Sequence, residues 1–168
     1  MDSAFREQIV KKKPGWRDWA IRAGLILGVA VIFAVTFLFI PFVWVLISVA
    51  AMFGAYYLST QLNVEYEYSV VADDLTIDAI YNRGRRKNKL RCAIGDIELM
   101  ARPLDPNHIS VLSTVPLWKD FSSGDSPDGL YAFIFSLKGQ RLLVHFEPND
   151  AILTGIESHI PRGRLYRS

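Results

Sequence analysis

Residues 23–64 read AGLILGVAVIFAVTFLFIPFVWVLISVAAMFGAYYLSTQLNV and contain no charged side chain. As one helix rising about 1.5 Å per residue, this stretch would be roughly twice as long as the ~30 Å hydrocarbon core of a bilayer. Pro41 lies near its middle, where the missing N–H and the ring clash end one helix and can begin another. The reading is therefore a transmembrane helical hairpin over 22–62, with spans at about 22–40 and 42–61 and a turn at Pro41. A cleaved signal peptide fits less well, because 22 residues precede the apolar run and no small-residue cleavage site separates the spans.

The flanks set the orientation. Lys11, Lys12, Lys13, Arg17 and Arg22 precede the first span, and a basic cluster beginning at Arg83 follows the second. The positive-inside rule then places both termini in the cytoplasm, as for a multi-pass protein of the cell membrane. Trp16 and Trp19, with Tyr56 and Tyr57, fall where an inner-leaflet aromatic belt belongs. With no ionisable residue at depth, transport through this hairpin alone is not expected. A turn at Pro41 sets Gly28 opposite Gly54 and Ala34 opposite Ser48. Gly24-x-x-x-Gly28 and Ala50-x-x-x-Gly54 are thus expected to pack the two helices together, with a homodimer interface as the alternative use.

Residues 1–22 hold six Lys or Arg against three Asp or Glu, whereas residues 63–168 hold 13 against 14. A near-neutral soluble part gives no footprint for nucleic acid. The single cysteine, Cys92, cannot form an internal disulfide and is expected as a buried small hydrophobe, consistent with a reducing compartment. Residues 1–21 form a basic amino-terminal segment. Within it, residues 2–12 are expected as a short amphipathic helix with Phe5, Ile9 and Val10 on one face, capped by Asp2 or Ser3 and ended by Pro14-Gly15. Such a helix would lie in the headgroup plane. A frayed tail carrying topology-setting charges is the other reading.

From Glu65 the periodicity becomes alternating. Tyr66, Tyr68 and Val70 share one strand face and Leu75, Ile77, Ala79 and Tyr81 another, separated by Asp73-Asp74. After a turn at Asn82-Arg83-Gly84, further strands are expected over 90–94, 96–101, 109–112, 130–137 and 140–146, with Lys138-Gly139 as a hairpin tip. A helix over about 149–159, capped by Asn149 or Asp150, presents Ile152, Leu153, Ile156 and Ile160 on one face. The chain is thus α+β: a two-helix hairpin, then a domain over 63–168 of about seven antiparallel strands closed by a helix.

Seven short strands and a closing helix resemble the pleckstrin-homology-like (PH-like) barrel. Phe5-Arg-Glu-Gln-Ile-Val10, Asp120-Phe-Ser-Ser-Gly124 and Phe146-Glu-Pro-Asn149 resemble an uncharacterised family of small bacterial membrane proteins in which two transmembrane helices precede a PH-like domain. The resemblance implies the fold and carries no catalytic signature.

Among possible sites the densest is basic: Arg83, Arg85, Arg86, Lys87, Lys89 and Arg91, with no acidic residue from 79 to 95. Contact with anionic lipid headgroups and binding of an acidic protein are the functional readings, each Lys or Arg near a membrane surface being worth about 1 kcal/mol. A solvated hairpin tip is the plain one. The Ser and Asp residues of 120–129 are turn chemistry, without a base or oxyanion donor nearby. His108, His145 and His159 lack metal-ligand spacing, His145 reading as a surface or interface residue, and no Gly-rich loop cradles a phosphate. No metal, cofactor or catalytic activity is therefore expected. The favoured function is a membrane-anchored binding or scaffold module that meets a protein or anionic lipid. The alternative is an accessory subunit of a larger membrane complex, associating through the hairpin.

Overall fold

A computed structural model describes residues 6–40, 42–125 and 129–166. In chain order its elements are β1 (Arg6–Lys11), α1 (Trp16–Phe39), α2 (Trp44–Thr60), β2 (Val64–Val71), β3 (Asp74–Tyr81), β4 (Arg85–Ala93), β5 (Ile97–Ala101), α3 (Ile109–Ser113), β6 (Leu117–Asp120), β7 (Tyr131–Leu137), β8 (Gln140–Phe146) and α4 (Asp150–Glu157). They form two compact units, one holding residues 14–64 and 81–85, the other holding 1–13, 65–80 and 86–168.

The sheet unit begins before the apolar insertion. β1 pairs antiparallel with β2, Arg6 facing Val70 and Lys11 facing Glu65. The expected amphipathic helix over 2–12 is thus corrected to a strand from Arg6 to Lys11, while Phe5 and the caps Asp2 and Ser3 lie outside the described residues. Eleven residues fall short of the roughly 12–15 that an isolated helix needs in water. A strand partner, by contrast, satisfies their backbone at once. The carboxy-terminal helix region adds side-chain bonds: Gln8 Nε2 donates to the Glu147 carbonyl at 2.8 Å, and the Asn149 N–H donates to Gln8 Oε1 at 2.6 Å. Arg6 Nη1 donates to the Ala151 carbonyl at 2.6 Å. α4 comes so close that a Cβ on Gly155 would sit 3.2 Å from Val70 Cγ1 and from Arg6 Cδ.

The described strands number eight, in two four-stranded sheets ordered β1-β2-β3-β4 and β5-β7-β8-β6. Tyr68, Leu75, Ile77, Phe133, Phe146, Ile152 and Ile156 are wholly buried. The Lys138-Gly139 tip has φ of 52° and 80°, and Asn82-Arg83 has 49° and 57°, the left-handed pairs that two-residue hairpins require. Asn149 caps α4 as expected, its Oδ1 accepting from the Ile152 N–H at 2.9 Å.

Two segments depart from the alternating pattern. Residues 109–112, expected as a strand, form α3. Asp105 starts the coil by accepting from the Asn107 N–H through Oδ1 and from the Ile109 N–H through its carbonyl. Leu112 then packs with Val115 on Ala132, Ile134 and Leu143. Leu117–Asp120, not expected as a strand, adds to the sheet edge as β6, parallel to β8.

In the helical unit, α1 is long and apolar enough to cross a membrane, and α2 is a shorter apolar helix. The two pack antiparallel: Arg22 Nη2 donates to Asn63 Oδ1 at 3.0 Å near one end, and Trp44 meets Phe33 and Phe37 edge-on near the other, at 5.3 and 5.5 Å. Pro41 lies outside the described residues. The less exposed positions, Arg22, Leu25, Val29 and Thr36 on α1 and Trp44, Ser48, Ala51 and Ala55 on α2, trace the seam at helical spacing. Gly24, Gly28, Ala50 and Gly54 are exposed, and a Cβ on any of the three glycines would meet nothing within 4 Å. The expectation that they pack the hairpin is therefore corrected. Gly24 and Gly28 sit one residue before Leu25 and Val29, about 100° round the helix from the seam.

Replacing Gln8 by Ala removes both bonds that tie β1 to the entry of α4. The expected loss is about 1–3 kcal/mol of stability, read from denaturant unfolding of the detergent-solubilised protein.

Candidate functional site

The basic cluster lies mainly on a strand. Five of its six members, Arg85, Arg86, Lys87, Lys89 and Arg91, belong to β4, and Arg83 sits in the preceding turn. Opposite charges within the sheet take up much of this density. Arg86 pairs with Glu67 at 2.5 Å, and Arg91 Nη2 pairs with Asp74 Oδ2 at 2.6 Å, a bond that raises the Arg91 pKa further. Arg83 and Lys89 also have interactions of their own. Arg85 and Lys87 are exposed and carry no ion pair among the described residues.

Glu67 is the buried carboxylate of this sheet, 4 % exposed. Its pKa is raised, first by burial and then by a hydrogen bond shared with Glu7, against the lowering field of Arg86. Asp78 adds a further negative field and itself accepts from Asn88 Nδ2 at 2.8 Å. The arrangement can hold a proton between Glu7 and Glu67, but no nucleophile or substrate-sized cleft accompanies it among the described residues.

The three short motifs that resembled a family meet in one corner. Tyr68, fully buried, donates its hydroxyl proton to the Phe121 carbonyl at 2.5 Å and accepts from the Glu147 N–H at 3.3 Å. Burial pushes its pKa up. The Ser123 N–H donates to Glu147 Oε2 at 2.9 Å, and the Lys13 N–H donates to the Ser123 carbonyl at 2.8 Å. With Gln8 bonded to Glu147 and Asn149, all three motifs serve to lock the first strand, the 120–124 loop and the helix entry together. Asp120 Oδ1 accepts from the Ser122 N–H and Ser123 Oγ from the Asp125 N–H, both as turn contacts. Residues 126–128 of the same loop lie outside the described ones.

Cys92 is buried, and burial pushes its thiol up to about 12, helped by Asp74 and Asp96. The thiolate is accordingly scarce at neutral pH. His108 has a partner that its spacing from the other histidines did not reveal: Nδ1 lies 2.8 Å from Asp105 Oδ2, and the ring lies against Tyr166 at 4.0 Å. His145 sits beside Trp118, with ring centroids 6.3 Å apart. Among the described residues no group of three His, Cys, Asp or Glu side chains could hold a metal ion.

One open surface among the described residues carried no expectation from the sequence. Leu117, Trp118, Lys119, Leu137, Gln140 and Leu142 line a cavity of about 230 Å³ at the β6 edge. Trp118 is 63 % exposed. The signal available in sequence was an apolar pair, Leu117-Trp118, outside any expected strand.

Two small sheets with a carboxy-terminal helix laid on the first strand are the architecture of a PH-like domain. The chain belongs to the bacterial PH-like domain family DUF6106, whose family model matches residues 1–165. No curated protein and no solved structure matches it.

Because the Glu67 pKa is raised in the folded state, the stability it contributes is full below the ordinary Glu value of 4.5 and is lost as pH rises through the raised value. Glu67→Gln is expected to flatten that decline, leaving the variant more stable than the parent at pH 7 and not at pH 4 in paired thermal melts. A steeper decline in the variant would contradict the assignment.

Proposed function

We propose that the protein is a non-enzymatic binding module in which an apolar hairpin anchors a PH-like domain at the cytoplasmic face of the cell membrane. The supporting observation is the register of β1 on β2. With Lys11 facing Glu65, the intervening chain leaves the sheet unit and returns to it at the same place. An insertion constrained in this way crosses a bilayer an even number of times. Since α1 has the length and hydropathy of a span, α2 carries the chain back. Its 17 residues rise about 26 Å, near the short end of spanning helices. The basic residues flanking the insertion favour the cytoplasmic side for both of its ends.

Binding rather than catalysis is the reading we favour: the 120–124 loop, the Tyr68 corner and the buried thiol hold the fold together, and Ser158, whose Oγ lies 2.9 Å from His159 Nδ1, stands with it at the exposed end of α4 without a cavity beside it among the described residues. A protein ligand is favoured over a lipid headgroup, because Arg86 and Arg91 of the basic cluster are held in ion pairs and Arg83 and Lys89 have interactions of their own among the described residues. The accessory-subunit reading keeps one observation of its own. Gly24, Gly28, Ala50 and Gly54 are exposed, leaving small-residue faces open to another transmembrane helix.

Single cysteines at Lys12, Phe42 and Lys87, in a Cys92→Ser background, test the topology with a membrane-impermeant maleimide. Lys12 and Lys87 are expected to label only from the cytoplasmic side, and Phe42 only from the other. Labelling of Lys12 and Lys87 from opposite sides would overturn the two-crossing anchor.

A further inference from the structure

We propose that the free edge of β6, with the cavity beside Trp118, binds an extended acidic segment of a partner protein as an added strand. This rests on the binding-module reading and gives the partner a chemistry.

Hydrogen-bond accounting within the second sheet points to this edge. β7 and β8 are interior, and the outer side of β5 is covered by the carboxy-terminal segment. The Met100 N–H donates to the Arg164 carbonyl at 2.7 Å, and the Tyr166 N–H donates to the Met100 carbonyl at 2.9 Å. β6 has β8 on one side and no strand on the other among the described residues. Its outward N–H and C=O groups are thus a template for one more strand.

Lys119 and Asp120 give this edge only part of what a protected edge carries. Such edges are usually guarded by charge and kept poor in large apolar groups, yet Leu117 is 47 % exposed, Trp118 63 % and the neighbouring Leu137 40 %. They surround a concavity, which can seat a side chain projecting from a docked strand. A bilayer surface would use neither the concavity nor the unpaired backbone.

Charge then selects the ligand. Lys119 lines the cavity, and Lys138 stands at the tip of the β7–β8 hairpin next to Leu137. Neither makes an ion pair among the described residues, whereas the nearby Arg141 is held by Glu98 at 2.9 Å. Among the described residues no carboxylate lines the cavity, and Asp120, next along β6, accepts from the Ser122 N–H through Oδ1. Two free cations beside an apolar seat match a strand that alternates aliphatic or aromatic residues with Asp or Glu.

The test uses the full chain in nanodiscs of neutral lipid and a phage library of random twelve-residue peptides. Enriched sequences are expected to alternate apolar and acidic residues. A synthetic copy should shift the amide resonances of residues 117–120, and its affinity should fall roughly tenfold or more in Trp118→Ala and in Lys119→Glu with Lys138→Glu. Both variants should melt like the parent, these side chains being exposed. Any of four results would overturn the proposal: no enrichment over empty nanodiscs; equal binding by the charge-reversed protein; anionic vesicles, rather than peptide, perturbing 117–120; or a parent dimer that Trp118→Ala converts to monomer. A negative result here, with Lys12 and Lys87 still labelled from one side, would leave the membrane-anchor reading intact.

Discussion

The pairing of Arg6–Lys11 with Glu65–Val70 is the constraint on which the rest of the molecule depends. It joins a segment at the start of the chain to one that arrives only after the whole apolar insertion, and it makes that insertion the loop of a β-hairpin. Closing so long a loop costs little more than closing a short one, since the entropy grows only with the logarithm of length. The insertion also shortens its own effective span, because α1 and α2 return the chain on themselves and Arg22 reaches Asn63 near the open end. Once paired, β1 becomes the seat for the last helix. Gln8 spans the Glu147 carbonyl and the Asn149 N–H, and Gly155 allows α4 to approach Val70. First strand and last helix therefore complete the same corner.

Charge in the sheet unit is used locally. The cations of β4 that looked like one patch face acids on neighbouring strands, Arg86 with Glu67 and Arg91 with Asp74. Pairs as exposed as Arg91 with Asp74 contribute little to stability, but they do remove charge from the field that an anionic surface would sense. Among the described residues, the cations left without an ion pair include Arg85 and Lys87 on β4 and Lys119 and Lys138 beside the β6 cavity. The second pair is the one accompanied by exposed apolar side chains, and this separates a binding edge from a solvated one.

The parts of this fold that were legible in the sequence are those whose signal is local. An uncharged run broken by a proline reads as two apolar helices whatever surrounds it, and the alternation around Tyr68 and Leu75, the Lys138-Gly139 tip and the Asn149 cap read in the same way. β1 was not legible, because six residues with Ile9 and Val10 adjacent fit a short helix as well as a strand and the deciding partner lies beyond residue 64. Ile109–Leu112 alternates like a strand, yet the turn bonds of Asp105 coil it. The glycines were correctly identified as small and periodic, but the phase of the helix seam is set by Leu25, Val29 and Ala51, which sequence spacing alone does not rank above Gly24 and Gly28. Likewise the density of cations at 83–91 was visible, and the acids that absorb it were not, because those acids stand on other strands.

The central claim is that the chain before the insertion and the chain after it form one sheet. Cysteines at Lys11 and Glu65, in a Cys92→Ser background, test it most directly in native membranes, since directly opposed antiparallel residues hold their Cβ atoms about 4.5–5.5 Å apart. Mild oxidation should close an intramolecular disulfide in this pair, while a control pair at Lys11 and Ser69 should stay reduced. Equal crosslinking of both pairs, or crosslinks that form only between chains, would contradict the account.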